Sequence, residues 1–288
     1  MLAVVGTIPD PGFPLVADSV TMECGVISVD GHRASVNRGT PALLAAAARA
    51  LEALGQPPPF AYLVGDTGRG DGSRRLYEYI CGHLERENHR TVALHYMQPD
   101  VEWHRRFMLA IGRMAQPPTL VADAGFMYAA KMSGQSQAYD LFTPDIGEMA
   151  FLADEAAPHP FYTRGFILHE EDRVEDLIAR AYTHQNAAQY LLVKGRQDYL
   201  ADRDGIQAVI DSHTEEAMEA IGGTGDTLTG VVAALSAGGM KIADAAVAAA
   251  KVNRLAGFHA HPTPGTQVDE IIRQIPRALD EILDDAKA

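Results

Sequence analysis

Short apolar runs alternate with longer amphipathic stretches along most of the chain. The runs are rich in β-branched and aromatic residues, which is typical of buried strands, and they cover residues 2–5, 60–64, 91–94, 119–122 and 190–193. Helical spacing of apolar residues predicts helices over 41–54, 72–86, 101–114, 173–183, 225–237 and 242–259, with one last amphipathic helix over 268–283. Strand–helix alternation predicts a mainly parallel sheet covered by helices on both faces.

The length and composition suit one large domain. The chain has 288 residues, 47% of them hydrophobic, which is enough for a sizeable core. No Ser/Gly-rich linker or fixed-period repeat interrupts it, and the proline cluster at 57–59 is too short to separate domains. We therefore predict a single domain over residues 1–288.

Charge and targeting signals restrict the partners. With 24 Lys+Arg against 38 Asp+Glu, the formal net charge is −14 at pH 7, which argues against a nucleic-acid partner. No signal peptide or membrane span is recognised, so the cytoplasm is the expected location and no membrane partner is expected. Cys24 and Cys81 lack metal or redox spacing and are expected to be buried thiols. The oligomeric state is left open, a homo-oligomer included.

A glycine-rich turn before an apolar helix is the strongest chemical signal. The predicted helix over 225–237 begins within the consecutive residues Gly222, Gly223, Thr224, Gly225 and Asp226. Free N–H groups of a first helical turn attract phosphate, and glycines let a ligand approach the backbone. A carboxylate among those donors suits a base that takes a proton from a substrate hydroxyl. The alternative is that Thr224 or Asp226 only caps the helix.

Four further segments follow predicted strands, where ligands bind in parallel sheets. They are the glycine loop at 65–72, Asp123 with the residues after it, the Thr143–Pro144–Asp145–Ile146–Gly147–Glu148 run, and Lys194 with Gly195. Each has a structural alternative. The glycine loop could be a plain turn, Asp145 and Glu148 could be a helix cap and its capping-box partner, and Lys194 could be a solvated surface residue.

Together these motifs resemble the ribokinase-like superfamily, and most closely its ADP/ATP-dependent NAD(P)H-hydrate dehydratase family. The resemblance extends from about residue 39 to residue 283 and includes the Gly223–Asp226 motif, the 141–152 segment, Lys194–Gly195 and the 253–259 segment. It implies a three-layer α/β/α fold with a mostly parallel central sheet. It also implies a nucleotide-dependent repair enzyme that uses ATP or ADP and Mg²⁺ on hydrated NADH or NADPH.

The resemblance also implies roles for particular residues. Asp226 would be the catalytic base, beside an anion hole built by the backbone amides of Gly223, Thr224 and Gly225. Mg²⁺ would be held through water by Asp145 and Glu148. The nucleotide would lie along Lys194, Gly195 and Asn253. The residues expected to face the substrate are Gly65, Asp66, Gly68, Gly70 and Asp123.

Two departures from the dehydratase pattern keep an alternative open. Where that pattern reads His-Pro-Gly-Glu, this chain has Asp145-Ile146-Gly147-Glu148, and acidic residues over 215–219 replace a run of small ones. Both changes favour an ATP-dependent small-molecule kinase, acting on a carbohydrate or vitamin precursor. A nucleotide sensor without turnover is disfavoured, because such a pocket gains nothing from a carboxylate near phosphate. His259 and His261 are interpreted as a helix-end pair rather than metal ligands.

Overall fold

The computed structural model describes residues 1–155 and 174–285, and nine strands within these ranges form one sheet. In chain order the strands are β1 (Leu2–Ile8), β2 (Val16–Ser19), β3 (Thr21–Glu23), β4 (Val26–Val29), β5 (His32–Ser35), β6 (Phe60–Gly65), β7 (Thr91–His95), β8 (Thr119–Ala122), β9 (Leu141–Phe142), β10 (Tyr190–Val193), β11 (Asp198–Asp202) and β12 (Gly205–Ile210). The spatial order in the nine-stranded sheet is β12-β11-β10-β9-β8-β7-β1-β6-β2, and a separate antiparallel sheet has the order β3-β4-β5.

Six neighbouring strands, from β10 across to β6, run parallel, and antiparallel strands close both edges. Short 3-10 helices occupy Leu84–Arg86, Ser136–Ala138 and Glu216–Ala220. The α-helices are α1 (Thr40–Ala53), α2 (Asp71–His83), α3 (Val101–Arg113), α4 (Gly125–Met132), α5 (Ile146–Ala153), α6 (Val174–Thr183), α7 (Thr224–Ala237), α8 (Ile242–Ala260), α9 (Val268–Ile272) and α10 (Ile275–Asp285).

The parallel strands of the sheet are buried on both faces because they are apolar at nearly every position rather than at alternate ones. In β1, Leu2 and Val4 pack into the core under α1, α7, α8, α9 and α10. Ala3 and Val5 point to the other face and join the core under α2 to α6. This three-layer α/β/α arrangement confirms the predicted fold class.

All five predicted strands are present, and six of the seven predicted helices fall within a residue or a few of their expected bounds. Arg173, the first residue of one predicted helix, lies outside the described residues. The last predicted helix is wrong as one element, because the chain turns at Arg273–Gln274 and restarts as α10. Pro276, in the first turn of α10, suits a helix start but lacks the N–H that a continuous helix needs.

Two smaller expectations meet different outcomes. Cys24 is exposed and Cys81 is half-buried, so the prediction of buried thiols is wrong; Cys24 lies in the turn between β3 and β4 with a φ of 47°. His261 is the left-handed C-cap of α8, and His259 contacts Glu281, as expected of a helix-end pair. Over the described residues, no helix combines the length and the apolar character that crossing a membrane requires.

Candidate active site

Polar side chains converge at the carboxyl edge of the parallel strands. His95 is the last residue of β7, Asp123 directly follows β8, and Lys194 directly follows β10. The N-termini of α1 and α7 open at the same edge. Since carboxyl ends of parallel strands meet there, residues far apart in sequence become neighbours.

The two helix N-termini lie side by side because α1 and α7 pack very closely. A Cβ built on Gly230 of α7 would lie 2.3 Å from the Leu43 carbonyl oxygen of α1, so this crossing requires glycine. Gly39 and Gly223 are the N-caps, with φ values of 68° and 102°. Neither helix receives a side-chain cap. In α1, Pro41 has no N–H and the N–H groups of Ala42 and Leu43 donate to the Gly39 carbonyl oxygen, so the first turn of α7 is the one that offers its N–H groups to an anion.

Asp226, in the first turn of α7, does not cap its own helix. Its Oδ2 accepts a hydrogen bond from the Gly39 N–H at 2.6 Å, and its Oδ1 lies 3.0 Å from His95 Nε2. The Thr224 hydroxyl donates to the carbonyl oxygens of Met218 and Ile221. The interpretation of Thr224 or Asp226 as a helix cap therefore does not describe this turn.

The surroundings of Asp226 favour its ionised form. The residue is only 9% exposed, and burial alone would raise its pKa. The hydrogen bond and charge of His95, the charge of Lys194 and the Gly39 N–H together lower the pKa below its ordinary value. His95 is itself held, with Nδ1 3.0 Å from the Thr40 hydroxyl. Asp226 is thus an oriented, ionised carboxylate, and its role as catalytic base stays a prediction.

Both carboxylate oxygens of Asp123 have hydrogen-bond partners within the protein. Its two oxygens lie 3.0 and 2.9 Å from Lys194 Nζ, and its Oδ2 accepts a hydrogen bond from the Thr229 hydroxyl at 2.6 Å. Burial acts to lower the pKa of Lys194, but the charges of Asp123 and Glu148 raise it above its ordinary value. The pair is therefore a buried ion pair, and substrate contact by Asp123 stays a prediction.

Ligand atoms of His95, Asp123 and Asp226 lie within 4.8 Å of one another. A metal ion at this point does not fit well. Lys194 already supplies the positive charge between the carboxylates, and His95 Nε2 is already hydrogen-bonded to Asp226. A cation would have to displace these partners, so we do not assign the cluster as a metal site.

Asp145 and Glu148 form a reciprocal capping box at the start of α5. Asp145 Oδ1 accepts from the Glu148 N–H at 2.7 Å, and Glu148 Oε2 accepts from the Asp145 N–H at 2.9 Å. Burial and the charges of Asp145 and Asp123 raise the pKa of Glu148. Asp145 is exposed and keeps Oδ2 outside the box, whereas Glu148 Oε1 accepts from the Tyr128 hydroxyl at 3.3 Å. Oxygen ligands suit a hydrated Mg²⁺, which retains water, so a role of Asp145 and Glu148 in holding the metal stays a prediction.

The predicted substrate loop is organised by Asp66. Its Oδ1 accepts from the N–H groups of Gly68, Arg69 and Gly70, and its Oδ2 accepts from the N–H and the hydroxyl of Ser73. These bonds lower the pKa of Asp66, although burial acts to raise it. Asp66 therefore shapes the loop after β6. Whether Gly65, Asp66, Gly68 and Gly70 touch a substrate stays a prediction.

Asn253 and Arg254 of α8 make hydrogen bonds to the first turn of α7 and to Gly195. Buried Asn253 accepts from the Thr227 hydroxyl at 2.6 Å and donates to the Thr224 carbonyl at 3.0 Å, which fastens the first turn of α7 to α8. Arg254 donates to the carbonyl oxygens of Gly195 and Arg196. A contact of these residues with nucleotide stays a prediction.

Sequence reasoning missed several partners in this cluster. His95 had a readable signal, because it directly follows the predicted strand over 91–94. Gly39 and Thr40 stand at the start of a predicted helix, but that helix N-terminus was not connected with the site. Thr229, one turn after Asp226, had no sequence signal because its contact with Asp123 depends on how α7 crosses β8.

The fold and this edge-of-sheet site define the ribokinase-like class of α/β proteins. Across 98% of the chain and 87% of the other, the fold matches a ribokinase-like superfamily protein from Enterococcus faecalis, with a TM-score of 0.61 and 14% identity. An ADP/ATP-dependent NAD(P)H-hydrate dehydratase from Bacillus subtilis, co-crystallised with ATP and Mg²⁺, matches over 98% of this chain and 89% of its own, with a TM-score of 0.59 and 15% identity.

Sequence comparison identifies the family. The family model described as NAD(P)H-hydrate dehydratase matches residues 99–277, and the chain belongs to this family. An uncharacterized protein of Methanocaldococcus jannaschii is 38% identical over 84% of this chain and 100% of its own. The bifunctional NAD(P)H-hydrate repair enzyme of Pyrobaculum aerophilum is 30% identical, over 58% of this chain but only 30% of that enzyme. Family membership confirms the prediction of a dehydratase-type repair enzyme.

Proposed function

We propose that the chain is a nucleotide-dependent NAD(P)H-hydrate dehydratase that uses ATP or ADP. The observation that carries this proposal is the environment of Asp226, a buried and ionised carboxylate in the first turn of α7 that also accepts from the N-cap N–H of α1. Phosphoryl transfer needs an acceptor for the hydroxyl proton beside donors that stabilise the transferring group. This turn offers both.

The residues divide the work as follows. Asp226 accepts the proton of the substrate hydroxyl at Oδ1 or Oδ2, while Gly39 and His95 fix the orientation of its carboxylate. Backbone N–H groups of Gly223, Thr224 and Gly225 bind the transferring phosphoryl group. The phosphorylated hydroxyl then leaves as phosphate with loss of the neighbouring ring proton, which restores the reduced nicotinamide. Mg²⁺, when held by Asp145 and Glu148 through water, supplies charge neutralisation for the nucleotide phosphates.

The positive charge for those phosphates must come from the surroundings of the turn. Lys194 is neutralised by Asp123, although a Cβ on Gly225 would lie 3.5 Å from Lys194 Nζ. Arg38 is exposed, and its side chain passes 3.6 Å from the corresponding point on Gly222. We expect Arg38 and the two helix dipoles to assist the phosphate-binding backbone.

A small-molecule kinase is the second candidate, and the exposed Asp145 in place of histidine is the observation that favours it. The capping box weakens this argument, because Asp145 has a helix-forming reason to be there. We also propose that residues 1–288 form one domain, because β1 at residues 2–8 and β12 at residues 205–210 belong to one sheet and residues of α8, α9 and α10 pack into its core, and that the location of the protein is cytoplasmic.

Substrate competition tests the proposal. Purified protein with Mg²⁺ and ATP or ADP is given hydrated NADH, pyridoxal or ribose, and recovery of reduced-nicotinamide absorbance and phosphorylated product are both measured. The dehydratase predicts recovery from hydrated NADH and little phosphorylation of the other alcohols. Phosphorylation of pyridoxal or ribose without repair of hydrated NADH would establish the kinase instead.

A further inference from the structure

Tyr96, the residue after His95, combines exposure with an unfavourable backbone conformation. Its residue surface is 50% exposed, whereas its neighbours His95 and Met97 are fully buried. Its φ is 48°, in the left-handed region that costs a bulky side chain free energy. Among the described non-glycine residues with positive φ, Tyr96 has the largest side chain.

The surrounding structure fixes this conformation. The Thr7 hydroxyl donates to the Tyr96 carbonyl oxygen at 2.5 Å, and His95 on one side is held by Thr40 and Asp226. On the other side, the Met97 carbonyl oxygen packs so closely on Gly125 that a Cβ there would lie 2.1 Å away. With both neighbours anchored, the chain directs the Tyr96 side chain outward. Strain maintained in this way is typical of functional positions.

The ring of Tyr96 borders the proposed catalytic base. It meets the His95 ring edge-on, with centroids 4.3 Å apart. Ring atoms Cδ2 and Cε2 lie 3.7 Å from the point where a Cβ on Gly39 would be, and Gly39 donates to Asp226. Burial and then the charges of Asp226, Asp123 and Glu148 raise the pKa of the Tyr96 phenol, which places the hydroxyl in the field of the acidic cluster.

We propose that Tyr96 is a substrate-binding residue whose exposed ring stacks on the heterocycle that carries the reacting hydroxyl. This inference rests on the proposed function and deepens it, because it names the residue that contacts the nitrogen heterocycle carrying the hydroxyl and so favours such a ring over an open-chain alcohol as substrate. An aromatic side chain that faces solvent at a strained position gains little from packing within the protein. A ring held beside Asp226, by contrast, orients the substrate hydroxyl for proton removal.

The test compares NADH with ADP-ribose, which is the same molecule without the nicotinamide ring. Affinities are measured by calorimetry with the nucleotide site filled by a non-hydrolysable ATP analogue and Mg²⁺. Wild-type protein is expected to bind NADH about 3- to 10-fold more tightly than ADP-ribose, the usual worth of one aromatic pair. Tyr96→Phe and the remote control Leu109→Asn should keep this ratio, and Tyr96→Asn should bring it close to one.

Thermal unfolding of the same variants separates binding from a structural role. Asparagine adopts positive φ readily, so Tyr96→Asn should keep or slightly raise the Tm, and Tyr96→Gly should also remain folded. Equal binding of NADH and ADP-ribose by wild type, an unchanged ratio in Tyr96→Asn or Tyr96→Gly, or a Tm drop of several degrees in both would overturn the proposal. A wild-type protein without repair activity would instead count against the proposed function, because the ring ratio is measured without turnover.

Discussion

Two acidic sites at helix N-termini, Asp226 in α7 and Asp145 with Glu148 in α5, use the same residue types for different purposes. Asp145 and Glu148 bond reciprocally to each other's backbone, and the charge of Asp145 together with burial raises the pKa of Glu148. Asp226 makes no bond to its own helix, and His95, Lys194 and Gly39 lower its pKa. Environments that move two carboxyl pKa values apart assign different protonation states at one pH. The partner outside the helix, not the position within it, therefore sets which of the two carboxyl groups has the lower pKa.

The largest expected effect comes from removing the charge of Asp226. Asp226→Asn should lower turnover by roughly 10²- to 10⁴-fold, the usual worth of a general base, with nucleotide affinity nearly unchanged. Steady-state kinetics and nucleotide titration measure both. Asp145→Asn is the comparison variant, because it removes the same charge from a helix N-terminus while asparagine still caps; it weakens the proposed Mg²⁺ site, so its smaller loss of turnover should be reversed by added Mg²⁺. Similar losses of turnover in the two variants would erase the distinction between the sites.

Removing the external partner of Asp226 should have the next largest effect. His95→Leu deletes a hydrogen bond to an ionised group, which is worth about 10- to 100-fold in turnover. Because His95 helps to lower the pKa of Asp226, its loss should raise that pKa, and activity should then fall at a higher pH as the solution is acidified. The pH profile of turnover checks this. An unmoved acidic limb would mean that His95 does not tune Asp226.

Breaking the capping box should cost stability, and any loss of turnover should be recovered at high Mg²⁺ concentration. Asp145→Ala leaves the Glu148 N–H without its acceptor and should lower the free energy of unfolding by about 1 kcal/mol. Denaturant unfolding measures this loss, and titration with Mg²⁺ during turnover measures any increase in the Mg²⁺ concentration that the reaction needs. If Asp145→Ala and Asp145→Asn are both as stable as wild type, the box contributes nothing.

The smallest expected effect is a change in how stability depends on pH. The pKa of Glu148 is raised in the folded state, so the folded protein binds more protons than the unfolded chain above the ordinary glutamate pKa. Stability should therefore fall as pH rises through this window, and Glu148→Gln should flatten the fall. Denaturant midpoints measured without Mg²⁺ at several pH values test it. The carboxyl of Glu281 has a lowered pKa, so Glu281→Gln should make the fall of stability with rising pH steeper.

The sequence predicted the architecture well where the signal was local and strong. Continuous apolar runs marked β1, β6, β7, β8 and β10, because strands buried on both faces contain few polar residues. The short antiparallel strands were missed because their alternation is short and mostly polar, as in β3 and β5 of the separate sheet. The break between α9 and α10 was missed because one apolar stripe continues across it.

The site was predictable only in part. Asp226, Asp123 and Lys194 were recognisable from their positions after strands or glycines, but the pairing of Lys194 with Asp123 and of His95 with Asp226 depends on strand order. Asp145 was ambiguous in the sequence between a metal role and a cap. Its geometry shows the cap, and the remaining oxygens leave the metal role as a prediction.

The central claim is that Asp226 couples nucleotide use to restoration of the reduced nicotinamide, and one reaction followed by two signals tests it most directly. Wild type, Asp226→Asn and Asp145→Asn are mixed with hydrated NADH, ATP and Mg²⁺, while ATP consumption and the return of reduced-nicotinamide absorbance are recorded together. The account predicts equal amounts of ATP consumed and NADH recovered in wild type, both signals nearly abolished in Asp226→Asn, and coupling retained in Asp145→Asn. ATP consumption without NADH recovery, or recovery that persists at wild-type rate in Asp226→Asn, would contradict it.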